Sequence, residues 1–108
     1  MSERSAQLAQ ARENQARIED DVELRVQAAY NRLDRTRQMI AVSEELMRLR
    51  AENRRMTLEQ VAHGSALRSQ SLATAAQELE AKAMLLQSRL EYVQAAAEMD
   101  EAIGRTPR

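Results

Sequence analysis

From Ser5 to Ala62 the chain contains neither glycine nor proline. At a rise of 1.5 Å per residue that run permits one helix about 85 Å long, more than a compact globule of this size can accommodate. It ends at Val61-Ala62-His63-Gly64-Ser65-Ala66-Leu67, where Gly64 is the only glycine before Gly104, and the single proline, Pro107, lies near the C-terminus. One helix stop in the middle of the chain divides it into two arms and a turn. The expected bounds are about 5–62 for arm one, 63–68 for the tip, about 69–103 for arm two and 104–108 for a tail.

The residue types agree. Ala, Leu, Glu, Gln, Arg and Met dominate, and all favour helix. The aromatic content is two residues, Tyr30 and Tyr92, which is thin material for a globular core. No stretch alternates in the manner of a strand. The expected fold class is all-α, a long antiparallel coiled-coil helical hairpin with no strands.

Heptad spacing predicts what each arm packs against. In arm one Val26, Leu33, Ile40 and Met47 recur every seven residues, with Val22, Ala29, Thr36 and Ser43 beside them. A second row, Val42, Leu46, Leu49, Asn53 and Met56, occupies a neighbouring face and implies a second neighbour. In arm two Leu72, Ala76, Leu79, Ala83, Leu86, Leu90, Val93 and Ala97 follow alternating steps of 4 and 3, a coiled-coil seam. The expected packing seam is therefore Val26, Leu33, Ile40 and Met47 with Leu72, Leu79, Leu86, Leu90 and Val93. Acid-before-base pairs four apart, Glu13 with Arg17, Asp21 with Arg25, Glu44 with Arg48 and Glu78 with Lys82, suit exposed helix faces.

The arms are unequal. Folding back at Gly64 leaves residues up to about 27 without a partner in the same chain, and the sparse stripe there, Leu8, Ala11, Ile18 and Val22, is expected to fray or be covered by another chain. Ser2 or Ser5 is expected to cap arm one, and Ser65 or Ser69 arm two.

Several function classes find no support. The net charge is -1, and residues 1 to 63 carry 11 basic against 11 acidic side chains, so neither arm offers the one-sided field that draws in nucleic acid. No apolar run is long enough to span a membrane, and no apolar signal segment follows Met1. With no cysteine and one histidine, a zinc-type centre lacks His and Cys ligands, and His63 reads as an exposed tip residue. Ser65, Ser69 and Ser71 lack the strained turn and organised base that a nucleophile needs. Asp20 and Asp21, or Asp100 and Glu101, are adjacent and point about 100° apart on a helix, so they do not converge on a substrate. Arg48, Arg50, Arg54 and Arg55 are interleaved with Glu44, Glu45, Glu52 and Glu59 and read as a solvated face. The Met residues at 39, 47, 56, 84 and 99 read as core filler. Neither catalytic, cofactor-binding nor metal-binding residues are expected, and the chain is read as non-enzymatic with no cofactor.

The order of residues around the turn resembles the C-terminal helical hairpin of TolC-type outer-membrane efflux proteins. The likeness rests on Arg54-Arg55-Met56, Val61 and Gly64, then Leu72, Ala75 or Ala76, Leu79, Ala83, Leu90-Glu91-Tyr92, Ala95 and Ala102-Ile103-Gly104, with Val26, Ala29-Tyr30 and Leu33 upstream. It covers roughly residues 18 to 104. In that family three protomers, each with two hairpins, close a twelve-helix periplasmic tunnel. The resemblance implies that this chain is a tunnel segment in the periplasmic portion of an outer-membrane protein, without membrane contact of its own. It further implies that Val61, His63, Gly64, Ser65, Leu67 and Arg68 form a tip that docks a periplasmic adaptor protein. The family commonly carries an Asp that caps the returning helix, where this chain has Gln70.

Expected partners are further copies, as a dimer or small bundle of the isolated chain and a trimer in the parent channel, together with the adaptor and no nucleic acid. The alternative is a stand-alone coiled-coil adaptor or oligomerisation module.

Overall fold

The run of helix formers folds as read, into two antiparallel helices and a five-residue turn. The computed structural model describes residues 2–104. Helix α1 spans Glu3–Ala62 and α2 spans Arg68–Ala102, and the described residues include no strand. The molecule is a rod, 92 × 27 × 16 Å. Gly64 thus folds the chain back and is not absorbed into one continuous helix. Of the expected tail at 104–108, residues 105–108, with the Pro107 stop, lie outside the described residues.

Both helix ends at the turn have a local cause. His63 donates its N–H to the Glu59 carbonyl at 3.0 Å, Gly64 to Val61 at 3.1 Å, and Ser65 to Gln60 at 2.8 Å. The last two bonds are the paired closure of a Schellman motif, which requires a left-handed residue between cap and exit. Gly64 supplies it with φ of 74°, a conformation that costs an L side chain strain but glycine nothing. At the other end of α1 Ser2 is the cap, its Oγ accepting from the Ser5 N–H at 3.3 Å.

The helices meet along a heptad ladder. In α1 every third or fourth residue from Val26 to Val61 is buried or half-buried: Val26, Ala29, Leu33, Thr36, Ile40, Ser43, Met47, Arg50, Arg54, Thr57 and Val61. The α1 half of the expected seam, Val26, Leu33, Ile40 and Met47, lies on this face. In α2 the ladder is Ser71, Thr74, Glu78, Ala81, Leu85, Ser88, Tyr92, Ala95, Met99 and Ala102. The fully buried positions are mostly small, Ala29, Thr36, Ser43 and Thr57 facing Ala81, Ser88 and Ala95. Small side chains at the crossing let two helix backbones approach closely.

The α2 half of the expected seam is corrected. Leu72, Leu79, Leu86, Leu90 and Val93 lie outside the contact and are exposed. They follow the contact positions by one or two residues, which turns them about 100° to 200° away from α1. Leu85 is 7% exposed and its neighbour Leu86 64%. Packing selected the other heptad phase because its alanines, Ser88 and Glu78 complement the narrow, partly polar face of α1. The methionines split similarly: Met47 and Met99 are half-buried, whereas Met39, Met56 and Met84 are exposed and do not fill a core.

Candidate functional site

Three features distinguish this molecule from a featureless helix pair: a polar ladder inside the seam, a tip, and apolar stripes facing outward. Inside the seam, Ser43 and Ser88 share a buried hydrogen bond of 2.9 Å between hydroxyls, and Ser88 donates to the Met84 carbonyl at 2.9 Å. With the Ser88 proton committed there, the Ser43 hydroxyl is the donor to Ser88. Thr36 and Thr57 satisfy their hydroxyls on their own helix, donating to the Leu33 and Asn53 carbonyls at 2.9 Å.

About three turns nearer the tip than Ser88 lies Glu78. It takes Arg54 from α1 and Lys82 from its own helix, each at 3.3 Å. Burial pushes the Glu78 carboxyl up, but the hydrogen bonds and charges of Lys82 and Arg54 outweigh it and hold the group below the ordinary glutamate range. Arg50 donates to Gln77 at 3.4 Å. Toward the open end Arg32 pairs with Glu98, and Arg89 reaches Glu44 at 3.9 Å.

The basic cluster is therefore divided. Arg48 pairs with Glu45 at 2.6 Å, and Arg55 with Glu52 and Glu59 at 2.6 and 2.9 Å, on the surface of α1; Arg50 and Arg54 reach across to α2. Glu45 and Glu52 are held low by hydrogen bonds from Arg48 and Arg55. Of the expected four-apart pairs, Glu78 with Lys82 forms. Arg48 instead takes Glu45, and Arg17 donates to Asn14 Oδ1 at 2.9 Å.

At the tip the turn gathers Val61, His63, Gly64, Ser65, Leu67 and Arg68 at one end of the rod, with Val61 half-buried and the others exposed. The expected serine cap of the returning helix is corrected. Ser65 donates its hydroxyl to the Gln60 carbonyl at 3.1 Å and so closes α1, while Ser69 lies inside α2. The N-cap of α2 is Leu67, which has no side-chain acceptor; Gln70 Oε1 accepts the Leu67 N–H at 2.9 Å. That is one half of a capping box.

The outward stripes are the largest unsatisfied feature. On α2 the leucine stripe from Leu72 to Ala97 faces away from α1 over its full length. On α1 Met39, Val42, Leu49 and Met56 are exposed beside half-buried Leu46, and Val42, Leu46 and Leu49 line a shallow apolar groove with Ala41 and Glu45.

Among the described residues no group of three or more potential metal ligands is present, and no helix is long and apolar enough to cross a membrane. Comparison with protein-family models, curated proteins and solved structures finds no match to this chain.

What sequence reasoning missed was the second heptad phase in α2. Glu78, Ala81, Leu85, Ser88 and Ala95 keep 3 and 4 spacing, but two polar members hide that phase from a search for apolar residues.

Proposed function

We propose that this chain is a structural hairpin that acts by packing side by side with other helices through its outward stripes. The observation that carries the reading is the stripe from Leu72 to Ala97, which keeps coiled-coil spacing and is exposed on the face turned away from α1. A second apolar row on a different helix, Met39 to Met56, gives each hairpin two unlike edges. Unlike edges associate head to tail, and such contacts close into rings when the rotation permits.

The specific form of this reading is a wall segment of the periplasmic helical tunnel of an efflux channel, with the turn around Gly64 docking an adaptor protein. Support comes from the rod shape, the unlike edges and the exposed turn residues His63, Ser65, Leu67 and Arg68 at one extremity. The stand-alone oligomerisation module is favoured by the leucine stripe alone, which suffices for homotypic association.

Light scattering of the full chain across a concentration series tests the common element. Lateral association that is lost in Leu79→Glu and Leu86→Glu, with helicity retained, is expected; a strict monomer at all concentrations, or association that these changes leave untouched, sinks it. Binding of an adaptor hairpin that depends on Leu67 and Arg68 separates the channel form from the module.

A further inference from the structure

The contact face of α1 does not stop where α2 stops. Every described residue before Val26 is exposed, yet Leu8, Ala11, Gln15, Ile18 and Val22 continue at steps of 3, 4, 3 and 4 and run into Val26 and Ala29 of the α1–α2 seam. Ile18 is 63% exposed and Leu8 56%. Helices in proteins draw most of their stability from packing an amphipathic face, and this one has no packing partner over residues 3–25, so the stripe, continuous with an existing interface, calls for a second helix.

Charge identifies that helix. Between Glu3 and Arg17 the overhang carries Arg4, Arg12 and Arg17 against Glu3 and Glu13; between Glu19 and Arg25 it carries Glu19, Asp20, Asp21 and Glu23 against Arg25. One half is weakly basic and the other strongly acidic. Two copies laid parallel oppose acid to acid, whereas two laid antiparallel oppose each half to its complement. In the antiparallel coiled-coil register that sets Arg12 beside Glu19 of the second copy, Ala11 meets Val22, small against large, and the Gln15 stem meets Ile18. The first turn of the second copy then meets the end of α2 at Ala102.

We propose that residues 8–25 pair antiparallel with the same segment of a second copy of this chain, joining two hairpins end to end. The pairing uses none of the outward stripes and does not rest on the lateral-packing reading. Its shape is also different: an end-to-end dimer is roughly 150 Å long, whereas a lateral dimer keeps the 92 Å length of one hairpin.

The chain has no cysteine, so single introduced thiols report the geometry. An oxidised mixture of Ala11→Cys and Val22→Cys chains is expected to give the mixed disulfide dimer by mass spectrometry, with neither chain crosslinking efficiently alone. Small-angle scattering of the unmodified chain is expected to show the longer particle. Ile18→Asp, at a position exposed in the hairpin, abolishes it and leaves the helical hairpin folded. Arg12→Glu and Glu19→Arg singly weaken the dimer about tenfold, and the double exchange restores it. Crosslinking of Ala11→Cys with itself means a parallel pair and overturns the proposal. So does a particle that stays near the single-hairpin length, or one whose length is indifferent to Ile18→Asp.

Discussion

Ser43 of α1 and Ser88 of α2, 45 positions apart in the chain, hold hydroxyl to hydroxyl at 2.9 Å in the middle of the seam. Ser43 is 0% exposed and Ser88 3%. A buried polar layer of this kind fixes which residues lie opposite each other, because sliding the helices leaves hydroxyls without partners.

Ser43→Ala is expected to cost about 1 kcal/mol by denaturant unfolding, since it leaves the Ser88 oxygen short of a donor. Adding Ser88→Ala costs less than the sum of the single changes, because both partners are then gone. Strict additivity in the double-mutant cycle would show that the hydrogen bond contributes nothing to stability.

Leu85 and Leu86 test the corrected seam. Leu85→Ala is expected to destabilise the hairpin by about 2 kcal/mol or more, as a buried leucine does. Leu86→Ala, measured in the monomer, stays within about 0.5 kcal/mol. Equal effects would place both side chains in similar surroundings and contradict the packing described above.

At the turn, a Cβ added at Gly64 meets nothing within 4 Å, so the left-handed backbone is the sole objection to it. Gly64→Ala is expected to cost about 1 to 2 kcal/mol. Leu67→Asp is expected to gain about 0.5 to 1 kcal/mol by giving α2 the side-chain acceptor its N-cap lacks. Thermal unfolding of the two variants, moving in opposite directions, checks both.

Acid should loosen the seam at Glu78. A carboxylate held low in the folded state contributes stability that is complete above the unfolded glutamate value, about pH 4.3, and is lost as the pH falls through the folded value. Stability is therefore expected to be flat between neutral pH and that value and to fall below it. Glu45 and Glu52, also held low, contribute in the same direction. Glu78→Gln should lower stability at neutral pH and reduce the acid slope without abolishing it. An unchanged slope would remove Glu78 from the account.

The fold was legible in this sequence because its signals are local: a long run without Gly or Pro, then one glycine. The α1 seam was legible too, since Val26, Leu33, Ile40 and Met47 are apolar at every seventh place. The α2 seam was not. There two heptad phases interleave, and the leucine phase is the more hydrophobic. Which phase turns inward is decided by the partner face, where Ser43 and Arg54 ask for Ser88 and Glu78, and that complementarity appears only once the helices are set side by side. The cap at Leu67 was hidden for a related reason: the Schellman closure consumes Ser65, the nearest serine, and leaves α2 to start on a residue of poor capping chemistry.

The two-bond closure at Gly64 also orders folding in time. Contacts grow less local with distance from the turn, from 24 positions apart at Arg54 and Glu78 to 45 at Ser43 and Ser88. Once one layer is made, the next closes a loop only slightly longer, so the hairpin should zip outward from its turn rather than collapse at random. Native-state hydrogen exchange should retain that history, with amide protection decaying along both helices toward the end where Arg32 pairs with Glu98.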